Sequence, residues 1–267
     1  MAEVDPRYNQ IIDLVFDVGF TEGVTEIPFT MKDLRQAPGA IGIEPVDNFA
    51  DITYTFRFRA PLPESITSRA PEGHEWVIRG TGKGKYKFVA IKHQVRVRPR
   101  DGLITTKVPD AMPEIIRASA LGDEQALLAL VRYNRLLDIF LGLTTYSLQN
   151  HLRTTVKGIG QIEVDEVYVG LDRFGVHYIL PVQAKGGTDE IGITQIEQDL
   201  AACAEKWPQM AARSVAVQFM EDDKIAMFEL GIQDDQVAVI REAHYRLVAF
   251  SDITDEDRDL YLRARDV

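Results

Sequence analysis

Cysteine is almost absent from this chain: Cys203 is the only one in 267 residues. An internal disulfide is excluded, and so is a zinc site built from clustered thiolates. Histidine is scarce as well. His74, His93, His151, His177 and His244 show no His-x-x-x-His or comparable ligand spacing, which argues against a zinc hydrolase. No apolar run approaches the ~20 residues a membrane-crossing helix needs, and the acidic opening MAEVDPRYNQ does not read as a signal peptide. The expectation is a cytoplasmic protein without a membrane partner. Basic residues are in the minority, 30 Lys and Arg against 41 Asp and Glu, giving a net charge of −11. That balance is unfavourable for nucleic acid, because phosphate attracts a positive surface.

The distribution of charge alters this reading. Between Arg79 and Lys107 stand Arg79, Lys83, Lys85, Lys87, Lys92, Arg96, Arg98, Arg100 and Lys107, against the single acid Asp101. Tyr86, Phe88, Val89, Val95 and Val97 are interleaved with them, so the cations are expected to share one face of a sheet. A basic strip on an acidic body suits a protein that grips DNA along one side. A solvated strand face is the plainer alternative.

With 45% hydrophobic and 27% charged residues, the chain has the composition of a globular protein, long enough for one large domain or two ordinary ones. A boundary near residue 110 is expected, with a β-rich region over 1–110 that binds DNA or sets specificity and a second domain over 111–267. An amphipathic opening spans Tyr8–Phe16. Alternation predicts strands over Phe49–Arg59, Trp76–Arg79, Tyr86–His93 and Gln94–Arg98. The link Gly80-Thr81-Gly82-Lys83-Gly84 is not a Walker phosphate loop, since no Gly-Lys-Ser/Thr follows at the required spacing. Pro109 to Glu114 resembles the first turn of a helix, and helices are predicted over Asp123–Phe140 and Thr144–Thr155. The second would bring Gln149, His151 and Arg153 close to the strand-like run that opens at Ile162. Ile193, Ile196, Leu200, Cys203 and Trp207 recur at helical spacing, Ser214–Met220 and Ile225–Leu230 read as strands, Val237–Phe250 as further strand, and Ser251–Arg265 as a polar helix.

The densest information lies in Gln161–Gly187. Two strand-like runs, Ile162–Val169 and Val176–Ala184, flank the tight connection Leu171–Gly175. Glu163, Asp165 and Glu166 sit in the first run, and the second ends in Gln183-Ala184-Lys185. Strand parity puts Gln183 and Lys185 on one face, and Glu163 with Asp165 on one face, with Glu166 turned away. Folding the hairpin gathers a carboxylate, an amide oxygen and an ammonium. Such a set can hold a hard cation beside a proton-handling lysine.

In these residues the chain resembles the PD-(D/E)xK nuclease superfamily, over roughly residues 120 to 225. Asp165 matches the first acid and Gln183-Ala184-Lys185 the triplet, in its Gln-x-Lys version. The resemblance implies an α/β restriction-endonuclease-like mixed sheet flanked by helices. It implies Mg²⁺ held by Asp165, the amide oxygen of Gln183 and the carbonyl of Ala184, with Glu163, or Glu166 if a bulge turns it inward, making up the charge and Lys185 orienting or deprotonating water. The implied activity is Mg²⁺-dependent DNA endonucleolysis, in the manner of a type II restriction enzyme acting as a homodimer. Arg79, Lys83, Lys85, Lys87, Lys92, Arg96 and Arg98 are the expected DNA contacts, and Gln195 and Gln198 are candidates either to support the site's ligands or to contact DNA. In many superfamily members a helix before the hairpin presents a Glu to the metal; Gln149 stands in that neighbourhood here. The rival readings are a catalytically inactive DNA-binding protein of the same fold and an interaction protein that binds an acidic partner.

Overall fold

The computed structural model describes residues 4–92, 97–119, 124–186, 191–233 and 236–265. Contacts divide the chain into two compact units. The first comprises Met1–Arg96, Thr154–Ile162 and Gly192–Gln198; the second comprises Val97–Arg153, Glu163–Ile191 and Asp199–Val267.

In the first unit, Asp5 caps α1 (Pro6–Gly19) by accepting from the Arg7 amide, and Pro6 sits where no helical N–H is required. Ile11, Ile12, Val15 and Phe16 form its buried stripe. Then come β1 (Glu26–Thr30), α2 (Met31–Ile41), α3 (Phe49–Phe58), α4 (Glu64–Thr67), β2 (His74–Gly82) and β3 (Lys85–Lys92). The strands form an antiparallel sheet in the order β1-β3-β2. Phe16 meets Trp76 and Phe88 edge-on, with ring centroids 5.2 and 5.1 Å apart, at the heart of this core. The expectation of a β-rich N-terminal region is corrected here, because among the described residues helices α1–α4 accompany strands β1–β3. The expected strand Phe49–Arg59 is α3. Its residues satisfy period two and period 3.6 equally, since Phe49, Ile52 and Phe56 also form a helical stripe. The cap decides: Asn48 accepts from the Ala50 amide at 3.1 Å, and Ile52 and Phe56 bury into the core. The expected strand Gln94–Arg98 lies mostly outside the described residues, as do His93 and Arg96.

The remaining elements are β4 (Thr105–Pro109), α5 (Glu114–Ser119), α6 (Glu124–Tyr133), α7 (Leu136–Leu141), β5 (Thr144–Val156), β6 (Gly160–Leu171), β7 (His177–Lys185), α8 (Ile193–Lys206), β8 (Ala211–Ala212), β9 (Ser214–Phe219), β10 (Lys224–Gln233), β11 (Gln236–Val248) and α9 (Asp255–Arg265). They belong to the second unit except for the end of β5, the start of β6 and the first part of α8, which group with the first. Eight strands form one mixed sheet, in the order β4-β11-β10-β9-β7-β6-β5 with β8 beside β7. The steps β7 to β9 and β11 to β4 are parallel. Helix α8 is thus the crossover between two parallel neighbours, the connection a parallel pair requires. Leu127, Leu128 and Val131 of α6 and Leu137 and Phe140 of α7 pack in one core with Leu180, Val182, Ala184, Val215, Val217 and Met227 of the sheet. The architecture is therefore mixed α/β, with a large sheet flanked by helices.

Two helix expectations are corrected. The run read as one helix to Phe140 breaks at Asn134 and Arg135, where Arg135 adopts φ +50 and divides α6 from α7; Asp123 lies outside the described residues. Thr144–Thr155 is the strand β5, at the edge of the sheet. Gly142 at φ +67 ends α7, and the β-branched and aromatic residues Thr144, Thr145, Tyr146, Thr154 and Thr155 favour an extended chain. The turn between β6 and β7 is held by Asp172, whose carboxylate accepts from the amides of Phe174 at 2.8 Å and Val176 at 2.9 Å, with Gly175 at φ +84.

Candidate active site

Strands β6 and β7 pair antiparallel from Leu171↔His177 to Glu166↔Val182. Just beyond, the N–H of Ala184 donates to Oδ2 of Asp165 at 2.9 Å. A side chain thus enters the place of a ladder bond. On its other side β7 stays in register with β9, from Val182↔Val215 to Lys185↔Gln218. N–H and C=O of one residue in an extended strand point to the same edge. The Ala184 carbonyl therefore faces the β6 side with its amide.

Burial raises the Asp165 carboxyl above the usual range. The Ala184 amide, Lys185 and His151 act in the opposite direction, and Glu163 adds to the rise. Gln183 is fully buried; its Nε2 donates to Oδ2 of Asp199 at 2.7 Å and approaches the Glu163 carbonyl at 3.4 Å. The Lys185 side chain is 15% exposed, and its Nζ lies 3.7 Å from Oε1 of Glu124. Glu163 is about one-third exposed and meets two side chains of β5: Nε of Arg153 at 3.2 Å and Nδ1 of His151 at 3.5 Å. His151 takes φ +48, a backbone conformation uncommon for a residue with a side chain.

The structure therefore gathers Asp165, Gln183 and Lys185 around one opening of the hairpin, with the Glu163 carbonyl and His151 beside them. Glu166 stands apart. It is fully buried and ion-paired with Arg132 at 2.8 Å, and it accepts from Ser147 at 2.5 Å. Gln149, expected on a helix, is an exposed residue of β5. His177 begins β7, at the far end from Lys185. Cys203 is core, and burial pushes its thiol up to about 12.

Two residues at this opening are invisible to motif reading. Glu124 begins α6 and reaches Lys185 only through tertiary packing. Asp199 lies on the apolar stripe of α8, three residues after Ile196 and four before Cys203, and is 1% exposed. A carboxylate on the buried stripe of an amphipathic helix is the signal that points to it. Burial first, then Asp165, lifts its carboxyl well above the usual range, with the Gln183 hydrogen bond opposing.

The donor set suits a hard cation: one carboxylate, an amide and a backbone carbonyl, all oxygen. Among the described residues no group of three or more His, Cys, Asp or Glu converges to hold a metal. Such a set would leave much of an octahedral shell to water, as Mg²⁺ commonly does.

Among the described residues, some of the expected DNA contacts are already ion-paired. Arg79 pairs with Glu197 at 2.5 Å and Lys87 with Glu26 at 2.6 Å. Lys83 lies in the β2–β3 turn with Lys85 beside it, Lys92 ends β3, and all three are exposed. Arg96 lies outside the described residues, and Arg98 belongs to the second unit. There Arg100 pairs with Glu242 and Lys107 with Asp257.

No family model, curated protein or solved structure matches this chain. No helix among the described residues is long and apolar enough to cross a membrane.

Proposed function

We propose that this chain is a Mg²⁺-dependent DNA endonuclease of the PD-(D/E)xK type, acting as a homodimer so that two sites cut two strands. The observation that carries the reading is the meeting of Asp165, Gln183 and Lys185 where β6 and β7 part. Asp165, the Gln183 amide oxygen and the Ala184 carbonyl would hold the ion, which supplies charge neutralisation and a more acidic bound water. Lys185 would hold or take the proton of the attacking water and face the charge that grows on phosphate. Glu124 supports the same reading, since its helix precedes the hairpin and its carboxylate lies beside Lys185. Lys83 and Lys85 would contact the DNA backbone.

A second reading, an inactive DNA-binding protein of the same fold, is favoured by the neutral amide at Gln183. Incubation with supercoiled plasmid in Mg²⁺ or EDTA separates the two. Cleavage in Mg²⁺ alone supports the enzyme, and a salt-sensitive gel shift without cleavage supports the binder.

A further inference from the structure

We infer that Asp199 is a positioning residue that fixes which way the Gln183 amide faces. The consequence for metal binding rests on the nuclease reading, whereas the pair stands on geometry. Both side chains are buried, at 0% and 1% exposure. Gln183 Nε2 has Asp199 Oδ2 at 2.7 Å and the Glu163 carbonyl oxygen at 3.4 Å. Both of these oxygens accept hydrogen bonds, so it is the amide nitrogen that must face them. The nitrogen and oxygen of a planar amide point in different directions. Holding the first toward α8 therefore turns Oε1 away from Asp199.

The same pair accounts for an amide where the superfamily more often carries an acid. A carboxylate at position 183 would set two acceptors against each other at hydrogen-bond distance in a buried place. At neutral pH two facing carboxylates would repel or one would have to take up a proton, either of which costs free energy. With Gln183 the positions are complementary. Helix α8 is the direct crossover from β7, and its second turn delivers Asp199 to the strand it has just left. Oδ1 of Asp199 has no hydrogen-bond partner. Gln183 is the side chain that satisfies this acid.

The test compares the wild-type chain with Asp199→Ala, Gln183→Glu and the double variant Gln183→Glu/Asp199→Asn. Each is melted without metal and titrated with Mg²⁺ in a calorimeter. Asp199→Ala is expected to weaken Mg²⁺ binding about tenfold or more, the usual effect of removing the partner behind a metal ligand. If that variant does not fold, Asp199→Asn replaces it; two facing amides pair either way round, so an intermediate loss is expected. Gln183→Glu alone should lower the melting temperature. The double variant restores a donor opposite the carboxylate and should recover both melting temperature and Mg²⁺ affinity. A double variant that melts no higher than Gln183→Glu overturns the pairing. Unchanged Mg²⁺ affinity in folded Asp199→Ala overturns the positioning role. Absence of Mg²⁺ binding by the wild-type chain overturns the nuclease reading instead, and the melting comparison still decides the pair.

Discussion

Asp165 and Ala184 meet where the central hairpin opens: the carboxylate accepts the Ala184 amide at 2.9 Å. One side chain thereby closes the β6–β7 ladder and, on the proposed reading, would anchor the ion. The dual role separates two substitutions. Asp165→Ala should abolish cleavage and also destabilise by about 1–3 kcal/mol, the usual cost of leaving a donor unsatisfied when its partner is removed. Asp165→Asn keeps an acceptor, so it should lose cleavage with little loss of stability. Denaturant melts beside plasmid assays check both, and near-wild-type cleavage by either variant removes Asp165 from the site.

Glu166 is the adjacent acid with the opposite fate, fully buried against Arg132 and Ser147. Glu166→Gln should therefore lower stability while leaving the cleavage rate of the folded protein within about twofold. Because Arg132 remains one-third exposed, the cost should lie near the low end of the range for a broken buried pair, about 3 kcal/mol. A variant of unchanged stability that cannot cleave would move Glu166 into the site.

Lys83 and Lys85 are exposed at the β2–β3 turn, whereas Lys87 is already paired with Glu26. Replacing Lys83 and Lys85 with Ala should reduce the logarithmic salt slope of DNA binding by about 2, since each phosphate contact contributes about 0.9. Lys87→Ala should change it less. Affinities measured from ~50 to ~200 mM salt test this, and an unaltered slope in the double variant takes the turn off the DNA path.

Asp257 links α9 to β4. Its hydrogen bond from Lys107 and those from Thr254 hold the carboxyl down at about 2, below the ordinary 3.8. A depressed acid favours the folded state above its unfolded value, and that contribution is lost as pH falls from about 3.8 toward about 2. Asp257→Asn should lower stability near neutral pH and remove this part of the acid dependence. Acid-denaturation curves that keep the same slope through that window in the variant contradict the linkage.

How much of this could be read from the chain depends on the range of the interactions. The hairpin was legible because alternation and the Asp172–Gly175 turn are local, and its register follows from both. α3 and β5 were misread because their patterns admit two periods. The outcome lay with a cap at Asn48 in one case, and with a glycine stop and a sheet edge in the other. Asp165, Gln183 and Lys185 were within reach of a motif. Glu124 and Asp199 were not, since α6 and α8 come to the hairpin only through packing of the α6 stripe and the βαβ crossover. The nine cations between Arg79 and Lys107 read as one strip because the acids that pair with some of them, such as Glu197 with Arg79 and Glu242 with Arg100, are distant in sequence.

Lys185 offers the most direct test of the whole account. Its backbone ends the β7–β9 ladder, whereas its side-chain Nζ lies at the opening, 3.7 Å from Glu124. Truncation to Ala leaves the backbone pairing in place and is expected to spare the fold. Purified wild-type protein and Lys185→Ala should be compared on supercoiled plasmid, with Mg²⁺ and with EDTA, after equal melting temperatures have been verified. Linearised or fragmented plasmid is expected from wild type in Mg²⁺ alone, and a rate at least about 100-fold lower from Lys185→Ala, the scale of a lost proton-transfer group. Equal cleavage by the two proteins, or none by wild type in Mg²⁺, would contradict the nuclease reading.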